Sequence, residues 1–382
     1  MTNHLVLSGV GPLRRADLTF GDLTVFVGPQ ATGKSIALQF LKLFIDMGQV
    51  QQQMARYGLD WDRKGEDFLD VYFGEGMHSI WGENTLVEWN EKPIKLDTLA
   101  RMHKAKNDER MFLIPAQRVL ALRDGWPRPF TDYSPGDPYT VRDFSEKLRT
   151  LVEREFNQST KLFPQDRRLK RELRRMLTTH VFGKFSLSVD KVHSQKRLVL
   201  GGGGAESLPF MVWSAGQREF VPLLLGLYWL MPPTKISRRG DIKWVVVEEL
   251  EMGLHPRAIT VVMLMILELM ARGYRVCIST HSPQVIEAVW AIQRLREARA
   301  DGKALLRVFK AKSTPSMQKM ADAVLAKEFK VFYFDRDKGT TADISGLDPA
   351  DGNPAEADWG GLTEFSAAAN AAVAEVASGG QK

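Results

Sequence analysis

The stretch "VFVGPQATGKSIALQF", residues 25–40, decides the fold class of this chain. It contains Gly28-Pro29-Gln30-Ala31-Thr32-Gly33-Lys34-Ser35, a full match to the pattern G-x-x-x-x-G-K-[ST]. An apolar strand precedes the pattern and helical periodicity follows it, which is the context that such a loop requires. The glycines allow successive backbone N–H groups to face phosphate oxygens. We expect Lys34 to reach the β- and γ-phosphates of a nucleotide, and the Ser35 hydroxyl to bind Mg²⁺.

A second apolar strand ends in two adjacent acids. Trp244 to Val247 are apolar, and Glu248-Glu249 follow them directly. Two neighbouring carboxylates raise each other's pKa unless a cation compensates, and Mg²⁺ would supply that cation. We expect Glu248 to hold Mg²⁺, usually through water, and Glu249 to polarise an attacking water as general base.

Two further polar residues follow predicted strands. His281 comes after "RVCIST" and Gln117 comes after "FLIPA". Polar groups at the carboxyl ends of parallel strands meet at the edge where α/β sheets bind ligands. We expect His281 to contact a γ-phosphate and the attacking water, and Gln117 to coordinate Mg²⁺ without adding charge. Each residue taken alone is also compatible with a purely structural role.

The segment "WSAGQREF", residues 213–220, lies at the start of a predicted helix whose apolar run is Val221 to Leu230. Ser214 there is a good N-cap, which is a sufficient structural explanation. A helix N-terminus with a serine, the flexible Gly216 and the Gln217 amide is also an anion site. The residues alone leave both interpretations open.

Bulk composition predicts a globular protein in a reducing compartment. Of 382 residues, 44% are hydrophobic and 26% are charged. No apolar run approaches the length of a membrane span, and the N-terminus lacks the pattern of a signal peptide, so we expect a cytoplasmic protein without membrane contact. The single cysteine, Cys277, excludes an internal disulfide and a cysteine-rich metal site.

The formal net charge is +6, and the densest basic run is "DRRLKRELRRML", residues 166–177. We predict a helix over this run, with Leu169, Leu173 and Leu177 on one stripe. A solvated helix packed by its leucines and a nucleic-acid contact surface both fit the pattern.

Short apolar strands alternating with helices predict an α/β fold whose core sheet is mostly parallel and buried on both faces. We expect strands at 4–7 and 22–27 with "GVGPLRRAD" between them, and a late hairpin strand in "KVFYFDRDKG", residues 330–339. One domain is predicted over 1–365, with insertions at about 49–110 and 131–205. A weakly helical or disordered tail is predicted over 366–382.

With these residues in place, the chain resembles the ABC-type ATPase heads of the SMC, RecF and OLD families, from His4 to about Ala288. The motifs of those heads come in the order Walker A, Q-loop, signature, Walker B with D-loop, and H-loop. In this chain the matching segments follow that order: Gly28–Ser35, Gln117, Ser214–Gln217, Glu248-Glu249 and His281. "ELEMGLHP", residues 249–256, is similar to the acidic-Pro-Glu-x-x-Leu-His-Pro stretch of these heads. The resemblance implies a P-loop NTPase fold of ABC-ATPase type, with an antiparallel N-terminal subdomain and inserted helical segments.

The resemblance also implies which nucleotide the signature segment meets. In these families the signature serine and its helix bind the γ-phosphate of the ATP held by the opposite subunit. Two ATPs would then join two heads head-to-tail, in a homodimer or a higher oligomer. Three departures from the family pattern stand out: Glu248 replaces the usual Asp, Leu250 replaces a proline, and Ser-Ala-Gly-Gln lacks the leading Leu and the first Gly. Ala215 is acceptable there if its φ stays negative.

The resulting expectation is a Mg²⁺-dependent ATPase that dimerises around ATP and acts as a switch, in antiviral defence or DNA maintenance, with a separate effector protein. One alternative is an ATP-gated module with little hydrolysis that clamps DNA or a partner protein, which the Glu248 departure favours. A P-loop kinase is a third possibility, but the signature segment and His281 argue against it. No transporter-like membrane segment, long coiled coil or acid-rich nuclease region is recognisable, and contact with DNA stays open.

Overall fold

The computed structural model describes residues 3–103, 108–156, 160–192, 195–202, 205–233 and 237–379. The strands are β1 His4–Val10, β2 Leu13–Thr19, β3 Leu23–Val27, β4 Trp81–Trp89, β5 Lys92–Ile94, β6 Met111–Ile114, β7 Leu122–Arg123, β8 Trp126–Pro127, β9 Lys161–Phe163, β10 Ser186–Val192, β11 Gln195–Gly202, β12 Ala205–Pro209, β13 Trp244–Val247, β14 Arg275–Thr280, β15 Phe329–Phe334 and β16 Thr341–Asp343. The helices are α1 Lys34–Arg56, α2 Gly65–Phe73, α3 Leu96–Ala100, α4 Tyr139–Thr150, α5 Arg171–Leu177, α6 Ala215–Leu230, α7 Pro256–Ala271, α8 Pro283–Glu297, α9 Gly302–Val308, α10 Pro315–Leu325, α11 Pro354–Ala357 and α12 Glu364–Gly379.

The core sheet has the order β16-β15-β3-β14-β13-β6. Its strands run parallel, apart from β16, which is antiparallel to β15. Both faces are covered: Val25 belongs to the hydrophobic cluster that contains α6 and α7, whereas Phe26 belongs to the cluster that contains α1. Burial on both faces explains why β6 and β13 are continuous apolar runs and why β3 is apolar apart from the buried Thr24. The predicted fold class, α/β with a mostly parallel core sheet, is confirmed.

A separate antiparallel sheet, β2-β1-β4-β5, forms the N-terminal part. The prediction that "GVGPLRRAD" only connects two strands was wrong, because this segment contains a tight turn and most of β2. Strand β2 is paired with β1 in the register Val10↔Leu13. Leu13, Ala16 and Leu18 are buried on it, but two adjacent exposed arginines interrupt the alternation that would have revealed a strand.

The late strand β15 has two neighbours. It forms the predicted hairpin with β16, in the register Tyr333↔Ala342. It also pairs in parallel with β3, in the register Val331↔Val25, and so belongs to the core sheet. That second pairing lies beyond the reach of local pattern, since it joins segments some 300 residues apart.

The predicted helix over residues 166–177 begins only at Arg171. Arg168 is buried instead, and its guanidinium donates to the carbonyl oxygens of Tyr228 and Met231, at 2.8 and 3.3 Å. These carbonyls belong to the C-terminal end of α6, where helix carbonyls lack partners within the helix. The leucine stripe is confirmed, because Leu169, Leu173 and Leu177 are all buried.

Helix α1 continues past residue 49, the predicted start of the first insertion, and ends at Arg56. Its backbone is non-helical at Asp46, whose carboxylate accepts the N–H groups of Arg110 and Met111, both at 2.9 Å. Buried Lys42 pairs with the same carboxylate at 2.9 Å.

In the predicted tail, α12 is exposed as far as its side chains are described, and residues 380–382 lie outside the described part. The division into a domain, insertions and tail stays a prediction. None of the described helices combines the length and apolarity needed to cross a membrane.

Candidate nucleotide-binding site

The loop between β3 and α1 adopts the curled backbone that a phosphate cradle needs. Gly28, Ala31 and Gly33 have φ values of 141°, 61° and 93°. A Cβ on Gly28 would collide with the carbonyl oxygen of Phe334 at the end of β15, so glycine is required there on packing grounds as well. No side chain caps the start of α1. The backbone N–H groups of this helix start are therefore oriented for an anion.

Lys34 is folded back across its own loop. Its Nζ donates to the carbonyl oxygens of Gly28 and Pro29, at 2.8 and 2.5 Å. Burial lowers the pKa of this ammonium group to about 8; Glu249 opposes the shift and Arg336 adds to it. The loop carbonyls are thus provisional partners for a cation that a phosphate would hold more strongly.

Glu248 is buried at the end of β13. Its Oε2 accepts the Ala116 N–H at 2.9 Å, while its buried Oε1 makes no hydrogen bond. Burial raises the pKa of this carboxyl to about 7, although the Ala116 amide and the nearby Ser35 hydroxyl oppose the rise. A buried carboxylate oxygen without a partner, close to a serine hydroxyl, is a suitable ligand position for a hard cation.

Glu249 and His281 lie together at the same edge of the sheet. The Glu249 Oε1 is 3.6 Å from the His281 Nε2, and the imidazole is the main cause of the lowered pKa of Glu249. The Glu249 N–H donates to the Ser279 Oγ at 3.1 Å, with Glu249 at a left-handed φ of 43°. The His281 N–H donates to the Glu251 Oε1 at 2.5 Å. An ionised carboxylate held on a strained turn is thereby oriented at the sheet edge.

Gln117 and Arg118 follow β6, which is parallel to β13. The Gln117 side chain is exposed at this edge. Arg118 is fully buried and donates to the backbone carbonyl oxygens of Glu248 and Glu249, at 2.9 and 3.0 Å. Its Nε also lies 3.4 Å from the Glu219 Oε2 of α6. The sequence prediction emphasised Gln117 and missed Arg118, because the contacts of Arg118 are with residues about 100–130 positions away.

Arg336 is a second cation that sequence reasoning missed. It follows β15, and its Nη2 donates to the Gln30 carbonyl oxygen of the phosphate loop at 2.5 Å. The turn that carries it is ordered by Asp335, whose Oδ1 accepts the N–H groups of Asp337 and Lys338, both at 2.9 Å. The only available signal was a basic residue just after a predicted strand.

The signature segment has the predicted helix start. Ser214 is the N-cap of α6: its Oγ accepts the Gln217 N–H at 3.3 Å, and the Gln217 Oε1 accepts the Ser214 N–H at 2.9 Å. Ala215 is not among the residues with positive φ. A Cβ on Gly216 would lie 2.6 Å from the Gly253 carbonyl oxygen, so this glycine is required for packing within the chain.

The structure therefore brings one set of predicted residues together. Ser35, Glu248, Glu249 and His281 converge beside the phosphate loop, through the pKa couplings and distances given above. Within the described ranges, no hydrogen bond joins the segment from Ser214 to Gln217 to the loop from Gly28 to Ser35, and Ser214 is exposed.

Solved structures similar to the chain include an SMC head domain from Thermotoga maritima (12% identity, TM-score 0.38, covering 90% of this chain and 97% of that one). An SMC head bound to the C-terminal winged-helix domain of ScpA matches at 11% identity and a TM-score of 0.43, covering 90% and 96%. CbiO1 from Clostridium perfringens, part of the ABC transporter complex CbiONQ, matches at 12% identity and a TM-score of 0.35, covering 88% and 86%. A search of curated proteins returns no significant match.

The sequence profile of one family covers residues 23–287, which is more than half of the chain and spans every motif described above. The chain has a phosphate loop, an acid-bearing strand and a mostly parallel core sheet within the matched residues. It belongs to the family described as "AAA domain, putative AbiEii toxin, Type IV TA system".

Proposed function

We propose that this protein is a Mg²⁺-dependent ATPase that closes head-to-tail around ATP and works as a nucleotide-driven switch for a separate effector protein. The observation that supports the proposal is the proximity of Glu249 to His281 and of Glu248 to the Ser35 hydroxyl of the phosphate loop, while Ser214 is exposed at the start of α6. In this proposal the first group of residues forms one half of an ATP site, and Ser214 belongs to the other half.

The residues at the sheet edge fit a magnesium ion. The unpartnered, buried Glu248 Oε1 and the neighbouring Ser35 hydroxyl would hold it, with Gln117 as a further oxygen ligand. Mg²⁺ retains several waters and phosphate oxygens, so few protein ligands are needed. When bound, it neutralises charge on the β- and γ-phosphates.

The remaining chemistry is assigned to side chains of this chain. Lys34 would leave the Gly28 and Pro29 carbonyls for the β- and γ-phosphates. Glu249 would accept the proton of a water whose oxygen bonds to the γ-phosphorus, as the bond from phosphorus to the ADP oxygen breaks and ADP retains that electron pair. His281 orients the water and the γ-phosphate beside Glu249.

Closure of two heads would use the start of α6. The Ser214 Oγ accepts a hydrogen bond from the Gln217 N–H, which leaves its O–H available to donate to a phosphate of the partner subunit's ATP. The positive end of the α6 dipole favours the same anion. Gly216 and Gln217 would keep this helix start in place for the partner's ATP.

A role in antiviral defence with a separate effector is part of this proposal; the family description itself names a putative toxin and a type IV TA system. DNA is the competing partner. Part of the basic run has partners within the chain: Arg168 is buried against carbonyl oxygens, and the exposed Arg175 pairs with Glu172 at 2.6 Å. The basic run therefore has fewer unpaired side chains for the DNA backbone than its sequence suggests. This favours a protein partner over DNA.

An ATP-gated module with little hydrolysis is the second candidate function. Glu248 is one methylene longer than the usual Asp, and its raised pKa of about 7 leaves it partly protonated near neutral pH. Both features weaken its hold on a cation. Single-turnover hydrolysis at pH 8, where Glu248 is ionised, distinguishes the two: conversion of bound ATP within minutes supports the ATPase, and persistence of ATP supports the module.

The switch itself is tested by recovering the Glu249→Gln protein from native cells with its ATP bound, with nuclease treatment included. A stoichiometric protein partner that survives nuclease and is lost without ATP supports the effector. Recovery of DNA alone, released by raised salt, would contradict it and favour a DNA clamp.

A further inference from the structure

A cleft of about 840 Å³ lies outside the ATP site, between α7, α8, the turn after α5 and the end of α9. This volume is within the range of small-molecule sites, about 300–1,000 Å³. Its walls include the basic side chains of His180, Arg257 and Lys310 and the indole rings of Trp290 and Trp359.

The basic side chains that line the cleft have few acidic partners. In the described part of the chain, no ion pair involves the side chains of His180, Arg257 or Lys310, and Glu287 is the acidic residue of the lining. After burial, Arg257 and then Arg175 are the causes that lower the pKa of His180, so two arginines lie near this imidazole, which is mainly neutral at neutral pH and can donate a hydrogen bond. A compact anion with two charges, such as a phosphate monoester, neutralises such a cluster better than a single carboxylate does.

Two tryptophans of the lining, Trp290 and Trp359, contact each other. The rings of Trp290 and Trp359 are 6.2 Å apart between centroids, inclined at 39°. Phe309 and Met176 line the same cleft. The Trp359 indole N–H is buried without a hydrogen-bond partner among the described residues, which is uncommon for tryptophan. A flat ring such as a nucleobase can stack on the half-buried Trp290 indole.

The cleft is lined by the two helices that follow the catalytic strand ends. Helix α7 follows the Glu248–His255 segment, and α8 begins two residues after His281. The Gln284 Nε2 joins the two helix starts by donating to the Pro256 carbonyl oxygen and the Thr260 Oγ1, at 3.0 and 2.7 Å. A ligand in the cleft contacts both helices that follow the catalytic strand ends.

We propose that this cleft is a second ligand site, for a nucleoside monophosphate whose phosphate meets His180, Arg257 and Lys310 and whose base packs against Trp290. The phosphorylated end of a DNA strand offers the same chemistry, and the experiment below distinguishes these two sources. The inference is independent of ATP hydrolysis.

The experiment uses the full chain with Lys34→Ala, and the fluorescent probe is N-methylanthraniloyl AMP. AMP lacks the β- and γ-phosphates that the phosphate loop grips, and Lys34→Ala weakens that loop further. Fluorescence anisotropy should show saturable binding, which Arg257→Glu weakens at least tenfold. The matched control is Arg294→Glu, a charge reversal at an exposed position of α8, which should change affinity less than twofold. Trp290→Leu, which keeps the charge, should also weaken binding.

Displacement of the probe by unlabelled AMP supports a free mononucleotide. Displacement by a 5′-phosphorylated oligonucleotide, but not by its 5′-hydroxyl counterpart, supports the same site with a strand end as its ligand. The inference is overturned by absence of saturable binding, by equal loss in both charge reversals, or by displacement only with an acidic tryptophan-containing peptide. Loss of ATP binding in the otherwise wild-type chain, with probe binding retained, would contradict the proposed function and leave the second site standing.

Discussion

The Arg118 guanidinium donates to the backbone carbonyl oxygen of Glu248 at 2.9 Å. The same side chain donates to the Glu249 carbonyl oxygen at 3.0 Å and lies 3.4 Å from the Glu219 carboxylate on α6. One buried arginine therefore holds the acid-bearing strand end and the signature helix in a common arrangement.

Arg118→Lys should slow ATP turnover at least tenfold while ATP affinity changes by less than about threefold. Lysine keeps the charge but lacks the planar fork that reaches several acceptors at once. Steady-state hydrolysis and equilibrium ATP binding measure the two quantities. Arg123→Lys, at an exposed arginine that pairs with Asp132, is the matched control. Turnover equal to the wild type would show that Arg118 has no positioning role.

Ser214→Asp should leave the monomer folded and able to bind ATP, yet prevent ATP-driven dimerisation. Aspartate is as good an N-cap as serine, so α6 keeps its start. Its carboxylate would repel the γ-phosphate presented by the partner subunit. Ser214→Asn, an equally good but neutral cap, is the control, and light scattering with and without ATP gives the mass. Dimerisation of the Asp variant would mean that Ser214 is only a cap.

Glu249→Gln should trap ATP in a closed dimer. The His281 imidazole lowers the pKa of Glu249, so the wild-type carboxylate is ionised and able to accept a proton at neutral pH. Loss of a general base costs on the order of 10²–10⁴ in rate. Rapid-quench measurement of ADP formation, together with the mass of the ATP complex, tests both parts. Hydrolysis at the wild-type rate would move the base to another group, with His281 the next candidate.

ATP binding should be accompanied by net proton uptake near pH 8. The pKa of Lys34 in the free protein is lowered to about 8, so part of the population is neutral there. A bound phosphate favours the charged ammonium and raises the pKa again. The ATP affinity should therefore fall as the pH rises above about 8, and well below pH 8 the ionisation of Lys34 should add no pH dependence to it.

Calorimetry in two buffers of different ionisation enthalpy measures this uptake. Lys34→Arg is the control, since a guanidinium stays charged throughout this range. Equal proton uptake in both proteins would show that Lys34 does not titrate on binding.

Arg336→Ala should weaken ATP binding by roughly tenfold, in line with the loss of one charge-assisted hydrogen bond of about 1.5 kcal/mol. The Arg336 guanidinium, which donates to the Gln30 carbonyl oxygen in the free protein, is close enough to the loop to lower the pKa of Lys34. Lys338→Ala removes an exposed cation from the same turn and should change ATP affinity little. Equal effects of the two substitutions would indicate a general loss of positive charge.

Local sequence was sufficient for the parts of the site that are local. The phosphate loop is one continuous segment, and Glu248 and Glu249 directly follow an apolar strand, so motif and context predicted their placement. The helix start at Ser214 was equally local, with its cap three residues from its partner.

Long-range contacts explain what pattern reasoning missed. Arg118 bonds residues up to 131 positions away, and Arg336 bonds a carbonyl 306 positions away. The sequence predicts the hairpin of β15 but not its parallel pairing with β3, because β3 lies at the other end of the chain. The sequence predicts Gly216 as a flexible element of an anion site. Close packing on the Gly253 carbonyl oxygen is a second reason for glycine at this position, and it depends on a contact that the local sequence does not show.

The buried Cys277 has a practical consequence for watching the switch operate. It is 1% exposed, and burial raises the pKa of its thiol to about 12, so only about one thiol in 10⁵ is ionised at neutral pH. Since the chain has one cysteine, the protein should be almost inert to maleimide dyes. A cysteine placed at Met211, which is 69% exposed and three residues before Ser214, would then accept a single fluorophore at the edge where two heads would meet in the proposed dimer. Energy transfer between two such labelled copies would report each closure and reopening in real time.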